Sequence, residues 1–425
     1  MKAITYKRTI GLGLLVLIAT LLAVLAVLIL PRRAAGLSRY PMAVGTNLVG
    51  LVCTEDASDT FDLQATGGYM QTPDGNSVYM WSYAPEPGSF QLPGPVLCVN
   101  EGDTVTINLT NNLAESTSIV FPGQTGVTAT GGSAGLLTAE AAAGGGTVSY
   151  SFVASQPGTY LYESGTEQHR QVHMGLYGAI VVRPSMGDNF AYNDASTEFD
   201  EEFLILVHEI DPNLHMAVER GQAYDITTRH DRYWTINGRS MPDTLNDNFV
   251  PWMPSQPYGA LVRVEGSYPD QPGTGTRALV RYINAGSVNH PFHPHGNTMR
   301  ILGRDGSYLG AAQFENFTTT LGGGQSIDLL FVWDDVEGFV DGSSPIPVQL
   351  PGINDVVFKD GVTFYSGDPY LGQQDDLPVG VTSYNQCGEF YFPWHSHALN
   401  EFQNFDEGFG GLATLVRVDP PGGCP

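Results

Sequence analysis

Short stretches of alternating apolar and polar residues recur along the chain between residues 61 and 418. Because side chains two positions apart in a strand share one face, such alternation predicts half-buried β-strands. In the first half of the chain the pattern predicts strands at 61–65, 77–81, 104–109, 147–152, 158–162 and 175–182. Turn sequences such as Pro73-Asp74-Gly75-Asn76 separate them. The first half is therefore predicted to be a series of short strands joined by turns.

A polar segment from Arg183 to Glu202 separates this series from a second one. The second series opens with Phe203-Leu204-Ile205-Leu206-Val207, which is apolar enough for a strand buried on both faces. Further strands are predicted at 233–238, 260–264, 277–286 and 411–418. No helix is predicted in either series. We therefore expect an all-β body of two β-sandwich domains, residues 48–185 and 200–425.

The composition agrees with a body made of sandwiches. Of 425 residues, 51 are glycine and 28 are proline, while only 15% are charged. This combination indicates β-sandwich domains with many turns. The formal net charge of −25 would repel a phosphate backbone. We therefore expect no nucleic acid among the partners.

An uncharged apolar run extends from Ile10 to Leu30 and follows Lys2, Lys7 and Arg8. As a helix it would be about 30 Å long, which is enough to cross the core of a bilayer. The apolar regions of cleaved signals usually contain only about 7–15 residues. We therefore expect residues 1–36 to hold a signal anchor, with the membrane as a partner. Cleavage of this segment would instead make the protein secreted.

The four cysteines, Cys53, Cys98, Cys387 and Cys424, bear on the compartment. None forms a CxxC pair, and an even number behind a secretory segment indicates disulfides. Of the three connectivities we expect Cys53–Cys98 and Cys387–Cys424, because the last two flank a predicted final strand pair. The body is then extracytoplasmic, either periplasmic or at the cell surface.

Two histidine-rich stretches stand out, His290-Pro291-Phe292-His293-Pro294-His295-Gly296 and Trp394-His395-Ser396-His397. Each contains a pair spaced i, i+2, so on a strand both members share a face. Two such strands side by side would bring together His293, His295, His395 and His397, which are called the paired histidines below. Four converging imidazoles indicate a transition-metal site, with copper, zinc or iron as the usual ion.

Six phrases occur in an order and spacing that resemble one protein family. They are GPVLCVNEGDTVTINLTNNL, PGTYLYESG, GLYGAIVV, YWTINGR, NHPFHPHGNTMRILGRDG and FPWHSHALNEF. The family is the multicopper oxidases, and the resemblance spans about residues 48 to 418. It implies two cupredoxin-like Greek-key β-sandwiches and copper as the cofactor. It also implies a homotrimer as the assembly to test, since two-domain members place a copper cluster between subunits.

Members of this family carry four histidine motifs, and the first two are lost here. Where one motif has histidines around a tryptophan, this chain has Ile119-Val120-Phe121-Pro122-Gly123. Where the next has His-x-His, it has Tyr162-Glu163-Ser164-Gly165. The third motif is intact as His290, His293 and His295. The fourth survives as His395-Ser396-His397, with Glu401 at its last position.

The resemblance assigns the surviving residues to two sites. His290, Ser396 and Glu401 occupy the type 1 position, where the family has two histidines and a cysteine. A hydroxyl cannot replace the soft thiolate of a blue copper site, so we expect that centre to be lost. The paired histidines are what remains of the eight ligands of a trinuclear cluster. The predicted metal ligands are therefore the paired histidines, together with His290.

Other polar residues leave alternatives open. His169, His173 and Glu163 could complete the copper site, or could be surface and hinge residues. With Asp406, the type 1 position could hold Mn²⁺ or Ca²⁺, or could be a hydrogen-bonded polar cluster. His208 is expected to be a hydrogen-bonded core residue, and His215 and His230 are expected in loops.

Three functions follow from these patterns. The first is an extracytoplasmic oxidoreductase of reduced copper content that acts on a small molecule or a metal ion. The second is a copper-binding or copper-delivery protein without turnover. The third is a structural cupredoxin scaffold in which the histidines are a relic. We expect the first.

Overall fold

The computed structural model describes residues 49–268, 271–334, 390–408 and 410–423. The predicted anchor, Ile10 to Leu30, lies outside the described residues, as do Cys387 and Cys424. In the described ranges, no helix combines the length and the apolar character that a membrane span requires. Cys53 and Cys98 form a disulfide, which confirms one of the two expected pairs.

Ten strands form between residues 60 and 183. They are β1 Thr60–Gln71, β2 Ser77–Pro85, β3 Leu97–Asn100, β4 Thr104–Asn111, β5 Thr128–Gly131, β6 Ser133–Ala134, β7 Ala139–Glu140, β8 Gly146–Val153, β9 Gly158–Glu163 and β10 Tyr177–Arg183. One sheet has the order β2-β1-β4-β8-β5 and another the order β3-β10-β9. One core cluster takes side chains from both, for example Ile107 of β4 and Ile180 of β10. The two sheets therefore pack face to face as a sandwich.

Fourteen strands follow among the described residues. They are β11 Glu201–Ile210, β12 Tyr233–Ile236, β13 Val262–Glu265, β14 Ala278–Asn284, β15 His290–Pro294, β16 Met299–Arg304, β17 Ser307–Tyr308, β18 Phe314–Asn316, β19 Thr319–Leu321, β20 Ser326–Phe331, β21 Phe390–Ser396, β22 Gln403–Asn404, β23 Glu407–Gly408 and β24 Ala413–Asp419. One sheet follows β12-β11-β14-β20-β16-β17, with β18 beside β16, and another follows β13-β24-β21-β15-β19. Val280 of β14 and Val416 of β24 meet in one core cluster, which makes a second sandwich.

The predicted all-β character is confirmed, because every predicted strand overlaps an observed one. The stretch 203–207 lies in β11, between β12 and β14, and its side chains are buried on both faces, as expected. A third core cluster joins the two sandwiches, with Met80 and Leu161 from the first and Leu206 and Ile283 from the second. The domain boundaries 48–185 and 200–425 stay a prediction.

The expectation that the body contains no helix is wrong in two places. Helix α1 is a single turn, Gln168–Gln171, and helix α2 is Pro212–Glu219. Asp211 caps α2 by accepting from the backbone N–H of Asn213 at 2.9 Å, and Pro212 suits the first turn. A helix of eight residues shows little periodicity in the sequence, so only its cap indicated it.

Candidate metal centre

Strands β15 and β21 pair antiparallel and hold the two histidine-rich stretches side by side. In this register His293 lies opposite His395, and Phe292 lies opposite Ser396. Residues opposite each other across a pair of strands share a face, and so do residues two apart along one strand. The paired histidines therefore occupy one face of the sheet, as predicted. His290, an odd number of positions from His293, points to the other face.

The imidazole rings of the paired histidines form a compact group. Ring centroids are 4.9 Å apart for His293 and His295, and 5.0 Å apart for His293 and His397. The rings of His295 and His395 are 5.1 Å apart, and their Nε2 atoms approach to 3.1 Å. His395 is buried and His397 is exposed, so the group lies at the edge of the protein interior.

Hydrogen bonds orient two of these rings. The Nδ1–H of His395 donates to the carbonyl oxygen of Ser396 at 2.7 Å, because a carbonyl can only accept. The Nε2 of His395 is then unprotonated and carries its lone pair towards His295. His293 Nδ1 makes a 2.7 Å hydrogen bond with the hydroxyl of Thr318. A ring nitrogen held in this way, with the other left free, is typical of metal-binding histidines.

Burial keeps three of the paired histidines, His293, His295 and His395, uncharged. It lowers the pKa of His293 and His395, and it lowers the pKa of His295 to about 4 with help from neighbouring histidines. At neutral pH each therefore presents a lone pair rather than a positive charge. Neutral imidazole is the form that binds a metal ion.

The geometry fits a metal ion in part. A metal ion bonds imidazole nitrogen at about 2.0 Å, so two Nε2 atoms 3.1 Å apart can share one ion. In the part of the chain that the structure describes, no three His, Cys, Asp or Glu donors already meet around one point. His295 and His395 thus place two nitrogen atoms within reach of one ion, and the rings of His293 and His397 lie beside them. Imidazole ligands suit copper, and they also suit zinc, iron and nickel.

The opposite face of the same strands holds the type 1 position. His290 is buried, with Nδ1 2.9 Å from Glu401 Oε2 and Nε2 3.3 Å from Glu209 Oε2. Burial alone would lower the pKa of His290, but the hydrogen bonds to Glu209 and Glu401 outweigh it and raise the pKa to about 9. The hydroxyl of Ser396 donates to the same oxygen of Glu401. This position is therefore a hydrogen-bonded ionic cluster.

Of the two alternatives for the type 1 position, the structure favours the polar cluster. Asp406, which the hard-cation alternative required, has an 81% exposed side chain and pairs with Arg232. Both ring nitrogens of His290 face carboxylates that are 0% and 6% exposed. His290 is thus separated from the paired histidines, although the sequence predicted all five as metal ligands.

Glu209 is a site residue that the sequence analysis missed. Its Oε1 accepts from the backbone N–H of Ser287 at 2.6 Å, while its Oε2 faces His290. A Cβ at Gly286 would lie 1.7 Å from this Oε2, so only glycine leaves room for the carboxylate there. The signal was a charged residue near the end of the mostly apolar, buried stretch 203–210 of β11, since a buried charge is costly unless it is paired.

In the first sandwich, the positions of the lost motifs have other uses. Ile119 and Phe121 are buried core residues, and Val120 pairs with Glu163 as an isolated bridge. Glu163, His169, His173 and His208 line a cavity of about 330 Å³, called the Glu163 cavity below. None of the paired histidines belongs to its lining. The lining of this cavity therefore provides no contact between the paired histidines and His169, His173 or Glu163, which the sequence had offered as further ligands of the main site.

Two histidines differ from expectation. His208 is fully buried, as expected, but neither ring nitrogen has a hydrogen-bond partner among the described residues. His215, expected in a loop, is buried on helix α2 and its Nδ1–H donates to the carbonyl of Tyr79 at 2.7 Å. His230 is exposed, as expected for a loop residue. The burial of His215 depends on neighbours that are distant in sequence, such as Tyr79, so no local pattern indicated it.

Two β-sandwiches, one of them with imidazoles gathered on one sheet face, define a cupredoxin-like fold with a candidate metal centre. The sequence model of a family described as multicopper oxidase matches residues 74–187. Laccase-25 of Oryza sativa subsp. japonica is 29% identical over 349 residues, 79% of this chain and 53% of that protein. Copper resistance protein A of Escherichia coli is 26% identical over 249 residues, 53% of this chain and 39% of that protein.

Solved structures share the fold. A blue copper oxidase from Nitrosomonas europaea superposes with a TM-score of 0.58 at 19% identity, covering 84% of this chain and 85% of that one. A copper nitrite reductase from the same organism gives 0.51 at 15% identity, covering 86% and 94%. These similarities support membership of the multicopper oxidase family, whose members bind copper. It spans about half the length, or less, of the curated relatives described above.

Proposed function

We propose that this protein is an extracytoplasmic copper-dependent oxidoreductase whose copper is held by the paired histidines and which has no type 1 blue copper. The observation that carries this proposal is the register of β15 and β21, which puts His293 opposite His395. Because the two i, i+2 pairs then share a face, four imidazoles are available to one small volume. Few structural roles require such an arrangement.

Copper bound there would supply one-electron redox chemistry to a small molecule or a metal ion. The protein contributes orientation and protonation state. Ser396 uses its carbonyl oxygen to hold His395 in the tautomer that leaves Nε2 free. Thr318 holds the ring of His293. His397, which is exposed, leaves one side of the site accessible to a substrate.

The type 1 position supports the absence of a blue copper. Ser396 provides a hydroxyl where the thiolate would be, and that hydroxyl is engaged by Glu401. The two nitrogens of His290 are engaged by Glu209 and Glu401. An electron-accepting copper at high potential is then missing, so oxidation of laccase substrates should be slow or absent. The same observation favours the second candidate, a copper-binding or copper-delivery protein without turnover.

Copper loading followed by elemental analysis and paramagnetic resonance tests the metal assignment. The wild-type protein should bind copper without an intense blue band and with the signal of a nitrogen-ligated type 2 centre. The variant His395→Ala/His397→Ala should bind copper at the paired histidines at least about 100-fold more weakly, since loss of supporting groups alone costs about 10–100-fold.

Ser396→Ala is the matched control, because its hydroxyl lies on the same strand but on the opposite face. It should keep the copper at the paired histidines. A blue wild-type protein would show that a type 1 centre exists after all. An unchanged copper content and resonance signal in the double variant would show that the metal is bound elsewhere. Turnover of a reducing substrate by the loaded wild type separates the oxidoreductase from the delivery protein.

The compartment is part of the proposal. The disulfide between Cys53 and Cys98 is typical of proteins outside the cytoplasm. We further propose that Ile10 to Leu30 anchors the body to a membrane. The intact mass of the mature protein should then include the whole apolar segment. A mature chain beginning after about residue 35 would make the protein secreted instead.

A further inference from the structure

The Glu163 cavity is lined by four side chains of kinds that bind metal ions. His169 and His173 are spaced i, i+4. The helical hydrogen bonding of α1 extends to Met174, whose backbone N–H donates to the carbonyl oxygen of Arg170. Side chains four residues apart on a helical turn lie on the same side. Glu163, at the end of β9, and His208, on β11, complete the set. The donors thus come from both sandwiches.

His208 gives an independent indication of a ligand. It is fully buried, and both ring nitrogens lack a hydrogen-bond partner in the described part of the chain. Its ring packs 4.6 Å from that of Tyr177 and 5.5 Å from that of His173. A buried polar group without a partner costs about 1–3 kcal/mol. An imidazole left in this state beside a cavity is suited to a ligand that accepts its lone pair.

We propose that the Glu163 cavity is a second metal site, which takes a transition-metal cation such as Cu²⁺ or Zn²⁺ through His169, His173, His208 and Glu163. Three imidazoles with one carboxylate match the preference of these ions for nitrogen and oxygen donors. The site is distinct from the paired histidines and does not depend on their function.

The protonation states of the donors agree with this assignment. Burial lowers the pKa of both His173 and His208, the latter to about 3, so both rings are neutral at pH 7. Burial raises the pKa of Glu163 to about 7, so this carboxyl is ready to release a proton to solvent when a cation binds. Arg229 also lines the cavity, but Glu209 and Asp231 balance its charge at 3.3 and 3.0 Å.

His173 has a carboxylate placed behind it. Its Nε2 now accepts from the backbone N–H of Asp211 at 3.2 Å and lies 3.6 Å from Asp231 Oδ1. That oxygen has no hydrogen-bond partner among the described residues. When Nδ1 binds a cation, the ring proton moves to Nε2, which then gives up the hydrogen bond from the backbone N–H of Asp211 and can donate to Asp231. A metal-bound histidine backed by a carboxylate is a recurrent arrangement.

The donors line the wall of the cavity and do not yet surround one point. His169 is the side chain that can close the set, because it is 59% exposed and its Nε2 lies 3.8 Å from Oε2 of the exposed Glu167. Rotation of this one side chain requires no movement of the core. The proposed site is therefore open in the metal-free protein and closes around its cation.

The test uses the full chain carrying His395→Ala/His397→Ala, so that the paired histidines are impaired. Dialysis against Zn²⁺ or Cu²⁺ and elemental analysis should find about one retained equivalent of metal per chain. Adding His169→Ala and Glu163→Gln should remove it, with affinity reduced by about 100-fold or more. Neither substitution disturbs the core, since His169 is exposed and glutamine has the shape of glutamate. The matched control is His230→Ala, an exposed histidine outside the cavity.

Each outcome decides the proposal. Retention of the metal after the His169 and Glu163 substitutions would overturn it, as would an equal loss in the His230 control, which would indicate adventitious surface binding. Absence of the retained equivalent would also overturn it. Failure of this proposal can be distinguished from failure of the main copper site. The main site is tested by the His395 and His397 substitutions in a chain whose Glu163 cavity is intact.

Discussion

Arg281→Met is expected to lower the free energy of unfolding by about 3–5 kcal/mol, the usual cost of removing one partner of a buried ion pair. Arg281 is fully buried on β14, and its guanidinium contacts Glu202 and Asp328. It also donates to the hydroxyl of Thr159 at 2.8 Å, which ties the first sandwich to the second. Methionine fills a similar volume but leaves the charge of Asp328 without its cation.

The pKa directions support this expectation. Burial disfavours the charge on Arg281, yet the charges of Glu202 and Asp328 outweigh burial and raise its pKa. Denaturant unfolding of the wild type and the variant measures the difference. Arg277→Met is the matched control, because Arg277 precedes the same strand and pairs with Glu198 and Asp200 near the surface. It should cost less than about 1 kcal/mol. Equal decreases in the free energy of unfolding of the two variants would show that the buried ion pairs of Arg281 stabilise the fold no more than the surface ion pairs of Arg277.

The substitution His208→Phe is expected to change the pH dependence of stability. His208 has a pKa of about 3 in the folded protein, because burial disfavours its charge, against about 6.5 in the unfolded chain. Between these values the unfolded chain binds a proton that the folded protein does not bind. The contribution of His208 therefore becomes more destabilising as the pH falls below about 6.5. When the pH is lowered from 7 to 5, His208 lowers the free energy of unfolding of the wild type by about 2 kcal/mol.

Phenylalanine has no titrating group. The free energy of unfolding of the variant, relative to that of the wild type, should therefore rise by about 2 kcal/mol when the pH is lowered from 7 to 5. Denaturant unfolding of both proteins, with a chelator present to keep them metal-free, provides the measurement. The comparison with the variant is needed because burial raises the pKa of Glu163 and Asp231, which shifts the overall curve in the opposite direction. His230→Phe, at an exposed position, should differ from the wild type in its free energy of unfolding by an amount that does not change between pH 7 and pH 5. A constant difference for His208→Phe as well would show that folding does not shift the pKa of this imidazole.

The sequence by itself determined the strands and the grouping of the histidines. Alternation of apolar and polar residues is a local property of an extended backbone, and so the strands could be located without knowledge of their partners. The same local rule places His293 with His295, and His395 with His397, on shared faces. The serine at position 396, where the resemblance implies a thiolate ligand, was also visible from the sequence, because it is a matter of residue type alone.

The tertiary structure decided everything that depends on distant partners. The register of β15 against β21 joins the two histidine pairs and sends His290 to the other face. Glu209 reaches His290 from a position 81 residues earlier in the chain, and no local pattern records such a contact. The protonation state of His208 depends on its burial and on the side chains that pack against its ring. Spacing within a strand follows from backbone geometry, whereas cross-strand register, burial and charge pairing follow from the packing of the whole chain.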